Sequence, residues 1–122
     1  MRTLTKILII EDNPNNLYLI RFILNQYDYE VIEAESGEEG VRKAEAEVPD
    51  LIVMDIRLPG IDGFEATRLI RESETTAEIP VIALTSYAMA GDRERILSLG
   101  CTGYIEKPIE PDTIIAQLTH YL

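Results

Sequence analysis

The chain has 122 residues, of which 46% are hydrophobic and 27% are charged, and this size and balance suit one globular domain rather than a disordered segment. Its 22 acidic residues outnumber its 11 Lys and Arg residues, and the formal net charge of −11 opposes direct binding to nucleic acid or to anionic lipid. The single cysteine, Cys101, excludes an internal disulfide bond and a multi-cysteine metal site.

The amino terminus does not resemble a signal peptide. Residues 1–6 lead directly into the short apolar run Ile7–Ile10, and no small-residue cleavage site is present there. No apolar run in the sequence approaches the length that a membrane-spanning helix needs. We therefore expect a cytoplasmic protein with one domain over residues 1–122 and no membrane partner.

Five runs of residues predict β-strands. Four of them are almost entirely apolar or rich in β-forming residues, which is typical of strands covered on both faces of a sheet. In chain order these four are Ile7–Ile10, Leu51–Met54, Val81–Leu84 and Gly103–Ile105. The remaining run, Tyr29–Ala34, carries Glu30 and Glu33, so it is predicted to lie at an edge of the sheet.

Helices are predicted between the strands. Apolar residues recur at helical spacing near both ends of the chain. They are Leu17, Ile20, Leu24 and Tyr27 in the first helix and Ile114, Ile115, Leu118 and Leu122 in the last. Helix starts are indicated by Asn13-Pro14, by Ser36 with Glu39 and by Asp62 with Glu65, and Gly100 indicates a helix end. The alternation of strands and helices predicts an α/β domain with a parallel sheet and helices on both faces.

Polar residues follow four of the predicted strands, at the edge of the sheet where such folds bind ligands. Glu11 and Asp12 follow the first strand, Asp55 the third, Thr85 the fourth and Lys107 the fifth. Three carboxylates repel one another unless a cation lies between them, and oxygen ligands without His or Cys favour Mg²⁺. A lysine and a hydroxyl can bind phosphoryl oxygens, and an Asp carboxylate can act as the nucleophile that forms an aspartyl-phosphate.

Each of these residues has a more ordinary interpretation when it is taken alone. An acid at the end of a strand is usually a solvated loop residue or a helix cap, and a Thr or Lys there usually lies on the surface. The joint placement of acids, a hydroxyl and one lysine on the same edge favours a functional site instead.

The order and spacing of these motifs resemble the receiver domains of two-component response regulators. The motifs are Glu11-Asp12, the segment 54–63, the segment 83–86 and Lys107-Pro108. The resemblance covers essentially the whole chain and is greatest for DivK-like single-domain regulators and the receivers of hybrid kinases. It implies a flavodoxin-like doubly wound sheet of five parallel strands in the order 2-1-3-4-5. It also implies that the chain is a signalling switch that acts only on its own phosphorylation, and not an enzyme with outside substrates.

The resemblance implies a role for each site residue. Asp55 matches the phosphoacceptor, which takes the phosphoryl group in a Mg²⁺-dependent reaction. Asp12 and Asp55 match the side-chain metal ligands, while Glu11 holds the ion through water and Arg57 offers its backbone carbonyl. Lys107-Pro108 matches a cis peptide of the family, and only an X-Pro bond makes the cis form accessible at low cost.

Further roles concern the response to phosphorylation. Thr85 and Lys107 match the pair that contacts the phosphoryl group, and Tyr104 matches the aromatic switch residue that turns inward when Thr85 moves. The neighbours that tune the rate of phosphate loss are Asn13, Arg57 and Tyr87. The expected partners are a sensor histidine kinase or a histidine phosphotransfer protein, and a downstream target that binds the fourth helix, fifth strand and fifth helix, roughly residues 88–122.

Three other functions use a similar fold or site, but a feature of this sequence disfavours each of them. A metal-dependent phosphatase would use Asp55 as its nucleophile, but such enzymes usually have a second acid at the position of Arg57. A flavin-binding module would need a phosphate loop after the first strand, where Glu11-Asp12 would repel the flavin phosphate. A receiver that no longer accepts phosphate commonly lacks an acid or the lysine, and this sequence has both.

Overall fold

The computed structural model of the protein describes residues 4–86 and 90–122. Within these ranges five β-strands alternate with five α-helices along the chain. The strands are β1 (Thr5–Ile10), β2 (Tyr29–Ala34), β3 (Leu51–Asp55), β4 (Val81–Thr85) and β5 (Gly103–Glu106). The helices are α1 (Pro14–Asn25), α2 (Gly37–Glu47), α3 (Gly63–Glu72), α4 (Ala90–Ser98) and α5 (Pro111–His120). No helix in these two ranges is long and apolar enough to cross a membrane.

The five strands form one parallel sheet in the order β2-β1-β3-β4-β5, as the resemblance implied. The glutamate-containing strand β2 lies at an edge, which confirms that prediction. Strand order reverses at β1, which pairs with β2 on one side and with β3 on the other. Ile10 lies opposite Met54 in this register, so the residues that follow β1 are neighbours of the end of β3.

Side chains of the central strands alternate between two cores, because successive residues of a strand point to opposite faces. One core joins Ile7 and Val53 to α1 and α5, and the other joins Leu8 and Met54 to α2, α3 and α4. Each of these four strand side chains is fully buried, and burial of one such side chain stabilises the fold by about 1.5–3 kcal/mol. The predicted covering of both sheet faces by helices is therefore confirmed.

Side-chain caps start three of the helices where the sequence predicts them. The Asn13 side chain accepts hydrogen bonds from the backbone N–H groups of Asn15 and Asn16, at 2.9 and 3.1 Å. Ser36 accepts from the Glu39 N–H at 3.1 Å, and Asp62 accepts from the Glu65 N–H at 2.9 Å. These bonds satisfy backbone donors that the first turn of a helix leaves unpaired.

Two predicted helix positions are wrong. Tyr27 follows the end of α1, where the Tyr27 carbonyl accepts from the Tyr29 N–H at 2.8 Å as the chain turns into β2, and the Tyr27 ring is exposed. Leu122 likewise follows α5 and is exposed. Apolar spacing continues past both ends, but the helices stop before those residues. By contrast, Gly100 lies just after α4 with a φ of 106°, as expected of a glycine at a helix end.

Candidate functional site

Three carboxylates converge at the carboxyl ends of β1 and β3. One oxygen each from Glu11, Asp12 and Asp55 lies within 4.8 Å of the others. Glu11 is fully buried and Asp55 is only 5% exposed, whereas Asp12 is exposed to solvent. The three predicted acidic residues are therefore brought together in one cluster that is open to solvent on the Asp12 side.

Backbone groups fix the orientation of the two buried carboxylates. Asp55 is the last residue of β3, and its Oδ1 accepts a hydrogen bond from the Arg57 N–H at 3.1 Å. Glu11 Oε1 accepts from the Asn13 N–H at 3.2 Å and from the Asn16 side-chain amide at 3.5 Å. Both carboxylates are thus held by backbone N–H groups of the loops that follow their own strands, and Glu11 is also held by the Asn16 side chain of α1.

Gly63 is required by the turn that leaves Asp55. Its N–H donates to the Ile56 carbonyl at 2.8 Å. A Cβ at this position would lie 2.6 Å from the Asp55 carbonyl oxygen and 2.7 Å from the Ile56 Cα, closer than real Cβ contacts. The α3 helix can therefore start directly beside the acceptor strand only because residue 63 has no side chain.

Lys107 extends from the end of β5 across the site. Its Nζ lies 3.2 Å from Asp55 Oδ2 and 3.6 Å from Glu11 Oε2. The Lys107 N–H donates to the Thr85 carbonyl at 2.8 Å, which joins the ends of β5 and β4. The Lys107-Pro108 peptide is cis, as the resemblance implied. Thr85 itself is 9% exposed and lines the same cavity as Asp55 and Lys107.

The carboxylate cluster fits a bound divalent cation. Glu11 Oε2 is buried and makes no hydrogen bond to any residue that the structure describes, and the Lys107 ammonium lies 3.6 Å from it. Three carboxylates face that one ammonium, so the cluster keeps an excess of negative charge when all are ionised. All candidate ligands are oxygen atoms, which is the donor set that Mg²⁺ prefers.

Glu11 makes the stability of the metal-free protein depend on pH. Burial, followed by the nearby charge of Asp55, raises the pKa of Glu11 from 4.5 to about 7. Because the folded state then holds this proton more tightly than the unfolded chain, the contribution of Glu11 to the free energy of unfolding increases as pH falls from about 7 to 4.5. The expected change is on the order of 3 kcal/mol.

Urea unfolding in EDTA across this pH range measures the effect, with Glu11→Gln as the matched variant. The wild type is expected to gain stability relative to Glu11→Gln as pH falls, and the variant is expected to be the more stable protein above pH 7. A constant difference between the two proteins across the range would contradict this interpretation.

Two of the remaining predicted residues contact the carboxylates of the cluster. Asn13 contacts Glu11 through its backbone, and Arg57 contacts Asp55 in the same way and lines the cavity beside it. Tyr104 is half-buried on β5, and the Arg93 guanidinium lies 5.7 Å from the centre of its ring. Tyr87 lies outside the described residues.

Sequence reasoning missed two residues of this region. A cavity of about 300 Å³ beside Asp55 is also lined by Phe64 of α3 and Arg95 of α4. The Arg95 guanidinium lies 4.3 Å from the centre of the Phe64 ring. No local signal in the sequence indicates this pair, because 31 positions separate the two residues and they meet only when both helices pack on the same face of the sheet.

Comparison with known proteins identifies the family. The family model of the response regulator receiver domain matches residues 7–119. The chain is 43% identical over 116 residues to the polar-differentiation response regulator DivK of Brucella ovis, which covers 95% of this chain and 94% of that protein.

Solved structures agree with this result. The receiver domain of the sensor histidine kinase PA1611 from Pseudomonas aeruginosa PAO1 is 39% identical, with a TM-score of 0.90 and 98% of each chain covered. That structure has a magnesium ion coordinated in its active site cleft. The chemotaxis protein CheY4 of Vibrio cholerae is 27% identical, with a TM-score of 0.94 over 98% of this chain and all of that one. The chain therefore belongs to the response regulator receiver domain family of two-component signalling switches.

Proposed function

We propose that residues 1–122 act as one receiver unit, which accepts a phosphoryl group from a phosphohistidine onto Asp55 in a Mg²⁺-dependent reaction. The observation that carries this proposal is the Asp55 carboxylate, which is buried within the carboxylate cluster and lies 3.2 Å from the Lys107 ammonium. The magnesium ion in the related PA1611 receiver supports the same use of the cluster in this chain.

The acceptor reaction follows from the contacts of Asp55. A carboxylate oxygen of Asp55 forms a bond to phosphorus while the bond between phosphorus and the donor imidazole nitrogen breaks, and the imidazole keeps the electron pair. Lys107 then binds a phosphoryl oxygen in place of the carboxylate oxygen that it contacts before transfer. Thr85 lines the same cavity, and its hydroxyl would bind another.

The metal is assigned to the carboxylate cluster. Asp12 and Asp55 would hold Mg²⁺ through their side chains, with Glu11 and the Arg57 backbone carbonyl in support. When bound, the ion neutralises the phosphoryl oxygens during transfer. Asn13, Arg57 and Tyr87 would tune the rate at which water later removes the phosphoryl group, and the chain would have no other enzymatic activity.

Removal of the metal tests this assignment. With acetyl phosphate and Mg²⁺, intact-mass measurement is expected to find one phosphoryl group per chain, and with EDTA it is expected to find none. Adding Mg²⁺ back in excess should restore the uptake. Equal uptake with and without the metal would contradict the metal assignment, and no uptake under either condition would contradict the acceptor role.

Phosphorylation is proposed to change the face formed by α4, β5 and α5, roughly residues 88–122. Thr85 ends β4 and Tyr104 lies on the adjacent strand β5, opposite Ala83 in the strand register. A movement of Thr85 toward the phosphoryl group would open space for the half-buried Tyr104 ring. A downstream protein that binds this face would then favour the phosphorylated population. The donor would be a sensor histidine kinase or a histidine phosphotransfer protein.

Thr85→Ala separates phosphoryl uptake from the response. The variant is expected to take up phosphate to nearly the wild-type extent, since Asp55 and Lys107 are unchanged, but to lose most of the response at Tyr104. The phosphorylation-dependent shift of the Tyr104 ring resonances in NMR spectra measures this loss, and Thr119→Ala, on α5, serves as the control. A full Tyr104 shift in Thr85→Ala would contradict the coupling.

A further inference from the structure

The cavity beside Asp55 is also lined by a positively charged side chain that has no role in the phosphoryl transfer proposed above. Arg95 of α4 lines this space together with Asp55, Thr85 and Lys107. Its guanidinium lies over the Phe64 ring of α3, at 4.3 Å from the ring centre. Phe64 lines the same cavity, so the Arg95–Phe64 contact forms part of its wall.

The charge of Arg95 is balanced differently from that of nearby arginines. Arg68 pairs with Glu65 and Glu72, and Arg93 pairs with Glu106 at 3.4 Å. Among the side chains that the structure describes, no carboxylate pairs with Arg95, whose contact is the face of an aromatic ring. A cation–π contact at an exposed site contributes only about 0.5–1 kcal/mol. A stronger anionic partner in the same cavity can therefore displace it.

Phosphorylation of Asp55 would place such a partner in the cavity. The phosphoryl group would bring close to two negative charges where the carboxylate brings one, together with oxygen atoms that accept hydrogen bonds. A guanidinium binds such oxygens through paired, charge-assisted hydrogen bonds that are about twice as strong as neutral ones. Lys107 is already shared between Asp55 and Glu11, so the added negative charge of the phosphoryl group leaves a role for a further cation that lines the cavity.

We propose that Arg95 is an additional phosphoryl-binding residue, which leaves the face of Phe64 and binds the phosphoryl group when Asp55 is phosphorylated. This inference rests on the proposed acceptor role of Asp55. Movement of Arg95 would give a second way for phosphorylation to change the protein surface, separate from the coupling of Thr85 to Tyr104. Phe64 and Arg95 also line a groove between α3 and α4 that continues to Leu99, so movement of Arg95 changes the shape of that groove.

The composition of the chain allows a direct test with fluorine NMR. The chain has only two phenylalanines, so labelling with fluorophenylalanine gives one resonance for Phe64 and one for Phe22. Phe22 lies on α1, where its ring stacks on Tyr18, and it serves as an internal control. Beryllofluoride with Mg²⁺ is the probe, since it binds an acceptor carboxylate as a stable mimic of the phosphoryl group.

In the wild type, saturation with the probe is expected to shift the Phe64 resonance and to leave the Phe22 resonance in place. In Arg95→Ala, the Phe64 resonance is expected to differ from wild type before the probe is added and to shift less than half as far afterwards. The affinity for beryllofluoride is expected to fall roughly five-fold, because the lost charge-assisted bonds exceed the lost ring contact.

Arg21→Ala is the matched control. It removes the same charge, and Arg21 also lies against an aromatic ring, that of Tyr18 on α1, but it lines neither the Asp55 cavity nor the surroundings of Tyr104. This variant is expected to keep the wild-type affinity and the wild-type Phe64 shift. Equal behaviour of the two variants, or an Arg95→Ala variant with unchanged affinity and shift, would overturn the inference alone. Failure of the wild type to bind the probe would overturn the acceptor role of Asp55 and the inference with it.

Discussion

Asp55→Asn is expected to abolish phosphoryl uptake from acetyl phosphate and from a phosphohistidine donor. The amide has the shape of the carboxylate but lacks its charge and its nucleophilic oxygen, and it places either an oxygen or an NH₂ group 3.2 Å from the Lys107 ammonium. Loss of a nucleophile that has no substitute lowers the rate by about 10³-fold or more. Intact-mass measurement after incubation with each donor and Mg²⁺ tests this expectation.

Two controls distinguish loss of the acceptor in Asp55→Asn from a loss of folding or of charge alone. The variant is expected to remain folded, because removing the Asp55 charge relieves its repulsion with the buried Glu11 carboxylate. Asp112→Asn, in the exposed first turn of α5, removes the same charge away from the site and is expected to be labelled like the wild type. Labelling of Asp55→Asn at the wild-type rate would contradict the assignment of the acceptor.

Lys107→Met is expected to slow phosphoryl transfer and to strengthen Mg²⁺ binding at the same time. Transfer loses the ammonium that neutralises a phosphoryl oxygen, a change that costs about 10²-fold in rate when such a group is removed. Mg²⁺ binding gains because the ammonium, which contacts Asp55 and Glu11 in the structure, no longer competes for the same carboxylates. We expect the affinity for Mg²⁺ to increase about ten-fold, which corresponds to roughly 1.4 kcal/mol of binding free energy.

Isothermal titration with Mg²⁺ and timed intact-mass measurements separate the two effects of Lys107→Met. Lys6→Met is the control, since Lys6 forms a surface pair with Glu47 at 3.4 Å, and such pairs contribute only about 0–1 kcal/mol. The control is expected to change neither quantity. A Lys107→Met variant that binds Mg²⁺ no more tightly than the wild type would show that the ammonium does not compete with the metal.

Local patterns in the sequence predicted most of the fold. Apolar runs such as Leu51–Met54 identify buried strands because each residue must suit one of two buried faces, and Asn13, Ser36 and Asp62 identify helix starts because their side chains satisfy local backbone donors. The same reliance on local pattern made the prediction for Tyr27 wrong, since this residue follows the end of α1. Apolar spacing carries no information about where the tertiary turn into the next strand ends a helix.

The candidate site was predictable to the extent that topology alone places residues at strand ends. Parallel strands bring Glu11 and Asp55 to one edge whatever the details of packing. Sequence reasoning did not predict the full burial of Glu11, and hence the raised pKa of its carboxyl, because burial depends on the tertiary packing around the end of β1, where Asn16 and Lys107 contact this side chain. The Arg95–Phe64 contact was missed because it depends on how α3 and α4 pack together.

The position of the phosphoryl group on the chain decides whether Asp55 is the acceptor. Acyl phosphates are reduced by sodium borohydride to the corresponding alcohol, so a phosphorylated aspartate becomes homoserine, which peptide mass spectrometry can locate. After treatment with acetyl phosphate and Mg²⁺, we expect homoserine at position 55 and no conversion of any other acidic residue. Modification of another residue, such as Asp12 or Glu11, with position 55 left intact would contradict it.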